Sequence, residues 1–396
     1  MAQAQGTCDP RFAKVRTLFQ SFLDSGAELG ASLTVDLGGE TVVDLYGGHA
    51  DAARTRPWTR DTLVPLASST KTVSALAVLL LVERGAIASV RDRVSKDWPE
   101  FAANGKEHVE IRHLLAHTSG VAGWEDPIGF AEVCDPGSDA VARLAAQAPW
   151  WEPGSASAYH AWNYGHLLGE VVRRVTGGTR LKEFIAREIA GPLGADFQIG
   201  LRAEDEGRLA EGRGLPPGFK PGPLFVKAIA NPAMPPDFGR TRAWREGEVG
   251  ASNGVGNARG LNAILSNITL AGADTRNNGN NGKDEEKKYL LSKPTVDLIF
   301  EEQSYGPDLA VGQTIRFGIG YALRGDRDGE KTWVDDRLPA GRIAYWGGSG
   351  GSLGIMDVDR GLTITYAMNL RSTSMLGNPA STAYIGAVYE ALGVEI

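Results

Sequence analysis

Thr62-Leu63-Val64-Pro65-Leu66-Ala67-Ser68-Ser69-Thr70-Lys71-Thr72-Val73-Ser74-Ala75-Leu76-Ala77-Val78-Leu79-Leu80-Leu81 is the stretch that decides the reading of this chain. An apolar, extended lead runs into a cluster of hydroxyls, and the run that follows is too apolar to face water, so it predicts a buried helix. Ser68 and Lys71 stand three residues apart at the head of that helix, one above the other on one face. A lysine amine in a dry pocket favours its neutral form and can take a serine proton, which is the start of acyl-transfer chemistry. The spacing alone is weak, because a Ser-x-x-Lys turns up on the order of once by chance in a chain this long. A capped helix with an exposed lysine would explain it equally. Lysine in a first turn opposes the helix dipole, however, and a residue placed against local preference points to function.

On either side of this stretch the pattern changes. Phe12 to Phe22 reads as an amphipathic helix, and Leu33 to Leu45 as a hairpin turning at Gly38-Gly39. Near the C-terminus, Arg342–Trp346, Ser352–Val358 and Leu362–Leu370 read as strands, followed by a helix over Thr382–Leu392. A lone hairpin is barely stable, so the two ends are expected to share one antiparallel sheet with the terminal helices on a face. The fold class is therefore α+β, an α/β sandwich. Its sheet domain is built from residues 1–85 and 290–396, with a mainly helical region, 86–289, inserted between them. Helices are expected over Val109–Leu115, Asp139–Ala146, Tyr164–Thr176 and Arg180–Ile189. Leu215–Phe238, rich in Pro and Gly, reads as a surface loop, and the Asn/Gly-rich and then charged 271–288 as a mobile one.

The 396 residues carry a formal charge of −7, which argues against nucleic acid or an anionic membrane as partner. No apolar run reaches the ~20 residues needed to span a bilayer. The N-terminus shows neither a basic nor an apolar leader segment, and only Cys8 and Cys134 occur, with Cys8 expected in a loose terminus. The expectation is a cytoplasmic protein without disulfide, metal or cofactor, acting on a small-molecule ester or acyl substrate. Oligomeric state is not readable.

Two further segments can complete a site. Tyr159 and His160 precede the helix that starts near Tyr164, where a phenol can swing into a cleft. Near an ammonium its pKa would fall and make it a proton carrier; His160 is a second candidate there, for proton transfer or substrate contact. Trp346-Gly347-Gly348-Ser349-Gly350-Gly351 places bare backbone where a ligand must come close. An N–H from it, paired with that of Ser68, would make an oxyanion hole.

In order and spacing, Ser68-x-x-Lys71, Tyr159 and Trp346-Gly347-Gly348 resemble the serine β-lactamase and penicillin-binding-protein superfamily, and most nearly its β-lactamase-like (family VIII) carboxylesterases and transesterases. His113-Leu114-Leu115-Ala116-His117-Thr118-Ser119-Gly120, Tyr164-Gly165-His166-Leu167-Leu168-Gly169-Glu170 and Met368-Asn369 extend the likeness over roughly residues 28–390. The resemblance implies Ser68 as acylated nucleophile, Lys71 as the amine sharing its proton and Tyr159 as proton relay. It also implies the Ser68 and Ser349 amides as oxyanion hole, with His113 and His117 orienting loops. Two departures matter. Ala161 stands where relatives carry Asn, and Trp346 where β-lactam-processing relatives carry a carboxylate-binding Lys. Trp346, Gly347 and Gly348 thus suggest contact with a neutral ester, and Trp124, Trp150, Trp151, Trp162 and Trp244 offer further apolar surface or core. The resulting expectation is a serine hydrolase of carboxylic esters. Its rivals are acyl transfer to an alcohol or amine, β-lactamase or D-peptidase activity, and a non-catalytic scaffold.

Overall fold

The structure, a computed structural model, describes residues 2–212, 224–273, 289–326, 332–372 and 376–396. The N-terminal part supplies strands β1 (Gln5–Cys8), β2 (Gly30–Leu37) and β3 (Glu40–Gly48). Three short strands, β4 (Val64–Pro65), β5 (Phe197–Ile199) and β6 (Gly254–Gly256), pair separately in the order β4-β6-β5. The C-terminal part adds β7 (Ser304–Pro307), β8 (Thr314–Phe317), β9 (Ala322–Leu323), β10 (Ile343–Gly347), β11 (Leu353–Asp357) and β12 (Leu362–Met368). Among the described residues the main sheet runs β1-β3-β2-β12-β11-β10-β9-β8-β7 and its pairings are antiparallel.

The join between the two ends is β2 against β12, in register from Leu37↔Leu362 to Ala31↔Met368. Alternation along these strands sends side chains to opposite faces. Leu33, Val35, Ile343, Tyr345, Ile355, Ile364 and Tyr366 enter one core with Phe12, Phe19 and Tyr384 of the terminal helices. Those helices, Ala13–Ser25 and Pro379–Ala391, pack on each other, as the sequence led us to expect. The opposite face is covered by Ala258–Gly272, a helix not anticipated, which lies against β2, β11 and β12 within the stretch 86–289. There Thr365 Oγ1 donates to Ala258 O (2.8 Å) and Thr363 Oγ1 to Thr269 Oγ1 (2.8 Å). The helix Thr70–Glu83 is buried continuously from Thr70 to Leu81 and sits in the same core, against Tyr164–Val175.

Four local expectations change. Cys8 is not in a loose terminus but ends β1, which pairs with β3, and its thiol donates to Phe12 O (3.3 Å). The stretch read as a loop to Phe238 contains a helical turn, Phe225–Ile229, while 213–223 lies outside the described residues. The loop expected over 271–288 begins later, since Ala271 and Gly272 finish a helix; 274–288 lies outside the described residues. Finally, the strand read over Arg342–Trp346 is Ile343–Gly347, flanked by β11 and β9, so its glycines mark the strand's end and the turn beyond.

Candidate active site

β4 delivers the chain into a tight turn, Ala67–Ser69, from which the Thr70–Glu83 helix starts. Leu66 N donates to Gly254 O (2.8 Å), and Thr70 Oγ1 accepts from Gly254 N (2.9 Å) while donating to Ala67 O (2.6 Å). The turn carrying Ser68 is thus clamped by β6 on one side. Ser352 clamps it on the other, donating through Oγ to Leu66 O (2.8 Å) and meeting Ser69 Oγ at 3.0 Å. Ala67, next to Ser68, is held at φ +47°, a left-handed conformation rare outside glycine.

Lys71 is 1 % exposed. Its Nζ donates to Ala161 O (2.9 Å) and Ala251 O (2.8 Å) and stands 3.4 Å from Ser68 Oγ and 4.6 Å from the centre of the Tyr159 ring. Burial holds this amine well below the usual lysine range, because a desolvated ammonium has no carboxylate to repay it among the described residues. A neutral amine has two N–H bonds, which the two carbonyls take up. The lone pair is left for Ser68.

Tyr159 is buried, and its Oη has no hydrogen-bond partner of proper geometry; Ser68 and Trp346 are its nearest polar influences. Desolvation pushes the phenol above its ordinary value. The sequence suggested a fall, on the assumption of an ammonium beside it. Burial of Lys71 disfavours that ammonium, so desolvation moves the amine's pKa down and the phenol's up. The backbone of Tyr159 is fixed by Asp308, whose Oδ1 accepts from Tyr159 N (3.0 Å), Ala310 N (2.9 Å) and Val311 N (2.9 Å).

The third segment is the turn after β10. Gly351 N donates to Gly348 O (3.0 Å) and Gly348 N to Ser352 O (2.8 Å). A Cβ on Gly348 would lie 2.3 Å from Ser352 Oγ and 2.4 Å from Leu66 O, so only glycine lets this turn come so close to the segment bearing Ser68. Among the described residues, neither the Ser68 nor the Ser349 amide is committed to another hydrogen bond. Ser68, Tyr159, Trp346 and Gly347 line one narrow cleft, with Val311, Gln313, Ile315 and Leu376 as its other walls.

His160 is not on that cleft. It is fully buried, its Nδ1–H donates to Ala158 O (2.7 Å) and its Nε2 accepts from Ser119 Oγ (2.7 Å). Burial pushes its pKa down to about 3, so the ring stays neutral and both nitrogens are occupied. His117 packs at the centre of Tyr159, His160, Tyr164 and Phe317, and its Nδ1 accepts from His160 N (3.1 Å). His113 Nδ1 accepts from Glu110 N (3.1 Å) at a helix start. The tryptophans Trp124, Trp150, Trp151, Trp162 and Trp244 lie away from the cleft walls; Trp124 and Trp244 are core. Sequence reasoning missed Asp308, Ser352 and the carbonyls of Ala161 and Ala251. The one available signal was the acid in Gly306-Pro307-Asp308, a turn sequence where aspartate caps backbone N–H groups. Among the described residues no cluster of three His, Cys, Asp or Glu could hold a metal, and no helix is long and apolar enough to cross a membrane.

Comparison with known proteins places the fold and the family. A crystal structure of a family VIII carboxylesterase superposes with a TM-score of 0.87 at 35 % identity, covering 98 % of this chain and 100 % of that one. A penicillin-binding protein homologue from Caulobacter crescentus gives 0.87 at 31 %, covering 98 % and 100 %. The esterase/beta-lactamase LipL of Mycobacterium tuberculosis is 27 % identical over 387 residues, 92 % of this chain and 82 % of that protein. The Beta-lactamase family model matches residues 15–387, from the first long helix into the last, and the chain belongs to that family.

Proposed function

We propose that this protein hydrolyses carboxylic esters through an acyl-Ser68 intermediate. The observation that carries the reading is the buried Lys71 amine, with both N–H bonds of its neutral form directed at carbonyls and Ser68 Oγ at 3.4 Å. Ser68 Oγ attacks the ester carbonyl carbon while its proton passes to Lys71 Nζ. The oxyanion that forms accepts from the Ser68 and Ser349 amides. When the C–O bond to the leaving alcohol breaks, the proton returns from Lys71 through the Tyr159 hydroxyl to the departing oxygen. Water then attacks the acyl carbon, its proton passes through Tyr159 and Lys71 to Ser68 Oγ as the acyl–Oγ bond breaks, and the acid is released. A phenol kept protonated by burial suits a relay that accepts and donates in one event.

Trp346 places an apolar face where an anion-binding lysine would serve a lactam carboxylate, which favours an uncharged ester. The walls Val311, Ile315, Trp346 and Leu376 also supply the observation for a second reading, transfer of the acyl group to an alcohol or amine that displaces water from an apolar cleft. Partition of the acyl group between water and an added alcohol separates the two. The primary test is hydrolysis of a short p-nitrophenyl ester and labelling by a fluorophosphonate, wild type against Ser68→Ala. The variant should lose about 10³-fold or more in kcat/KM and all labelling. Equal labelling of both proteins would end the proposal.

A further inference from the structure

Glu28 follows the first long helix, its N–H donating to Phe22 O (3.0 Å), and its side chain is buried against the last strand and the last helix. Glu28 Oε1 accepts a hydrogen bond from Tyr366 Oη, and that oxygen in turn accepts from Asn378 Nδ2 (3.3 Å). Asn378 caps the helix Pro379–Ala391 through Oδ1, which accepts from Ser381 N (2.7 Å). Its amide also rests on Gly351: a Cβ there would meet Asn378 Nδ2 at 2.5 Å, and Gly351 sits at φ +133°. Gly351 closes the turn that bears Ser349, and Leu376, two residues before Asn378, is a cleft wall.

We propose that Glu28, Tyr366 and Asn378 form a positioning cluster that fixes the 348–351 turn, and with it the Ser349 amide, relative to Ser68. The inference rests on the reading of the site given above. A buried acid without a cationic partner is costly where an apolar side chain would pack, so its retention calls for a task. Among the described residues no Lys, Arg or His pairs with Glu28; the titratable groups acting on it are Tyr366 and Tyr384, both kept neutral by burial. Among the described residues its second oxygen, Oε2, has no hydrogen-bond partner, and burial pushes the carboxyl up to about 8. At neutral pH the cluster is uncharged and the turn is held. Ionisation of Glu28 puts a bare charge beneath it.

The experiment compares wild type, Glu28→Ala and Glu28→Gln on a short p-nitrophenyl ester from about pH 6 to about pH 9.5, with a thermal melt of each. Glu28→Ala should lower kcat roughly 10- to 100-fold with a smaller change in KM, since misplaced donors cost rate more than binding. Glu28→Gln keeps an acceptor for Tyr366 and should recover most of that loss at neutral pH. The wild type should lose kcat as pH climbs past about 8, along a limb that Glu28→Gln lacks. Wild-type kcat in a folded Glu28→Ala protein, or identical alkaline limbs in wild type and Glu28→Gln, would overturn the proposal. Should Glu28→Ala fail to fold, the comparison with Glu28→Gln still decides. Failure of wild-type Ser68 to label strikes the acyl-enzyme reading instead, a distinct result.

Discussion

In the reaction proposed above, Lys71 would serve as a base because its side chain is buried, not because of a charged neighbour. Arginine stays protonated under all working conditions, so Lys71→Arg should lower kcat/KM by about 10²- to 10⁴-fold even if the helix tolerates it. In the wild type, kcat/KM should fall as pH drops through the lowered Lys71 pKa and hold above it as far as the alkaline limb assigned to Glu28; a profile flat to acid would contradict this assignment. Glu28 gives a stability signal of known sign. Its folded carboxyl keeps a proton that the unfolded chain releases near 4.5, so wild-type stability should decline relative to Glu28→Gln between about pH 4.5 and about pH 8 and then level off. The slope is at most ~1.4 kcal/mol per pH unit, readable from urea midpoints. Ser68, Lys71 and Tyr159 were legible in the sequence because each sits in a motif with a fixed offset. Glu28 and the true direction of the Tyr159 shift were not, since burial depends on what the rest of the chain packs around a side chain.

Two loops meet over the cleft, and Asp308 ties them together. Asp308→Ala would leave the amides of Tyr159, Ala310 and Val311 without their acceptor, at about 1–3 kcal/mol for each buried donor. Asp308→Asn keeps an acceptor oxygen in the same place and should cost about 1 kcal/mol. Urea unfolding of the two variants should therefore differ by several kcal/mol, with kcat following the alanine variant downward because Tyr159 loses its anchor. Equal midpoints would show that the clip is dispensable. An aspartate after proline reads as an ordinary surface turn, and nothing local reveals that its partner lies 149 positions away. The helix Ala258–Gly272 escaped for a related reason: it is buried on nearly every side, which blurs the one-faced period that marks a surface helix.

Strands from the first forty-eight residues and from 304–368 share one sheet, and the candidate site draws its side chains from separate segments around residues 68, 159 and 346. Ser352 on β11's approach bonds to Leu66, and Lys71 bonds to carbonyls of 161 and 251, so the site cannot survive separation of these parts. Loss of activity, loss of tryptophan fluorescence and loss of helical circular dichroism should coincide in one urea transition. Activity lost well before the other two would mean that the cleft opens as an independent unit. The shared sheet was foreseeable because hairpins at both ends needed partners. The strands between 304 and 323 were not, being short and interrupted by polar and glycine residues that carry no clear alternation.

One small group sets the gauge of the whole device. The methyl of Ala67, forced into an awkward backbone pose, packs close to the bare Cα of Gly348. A carbon added to Gly348 would come within 3.0 Å of that methyl, so one extra atom would prise the loop bearing Ser349 off the segment bearing Ser68.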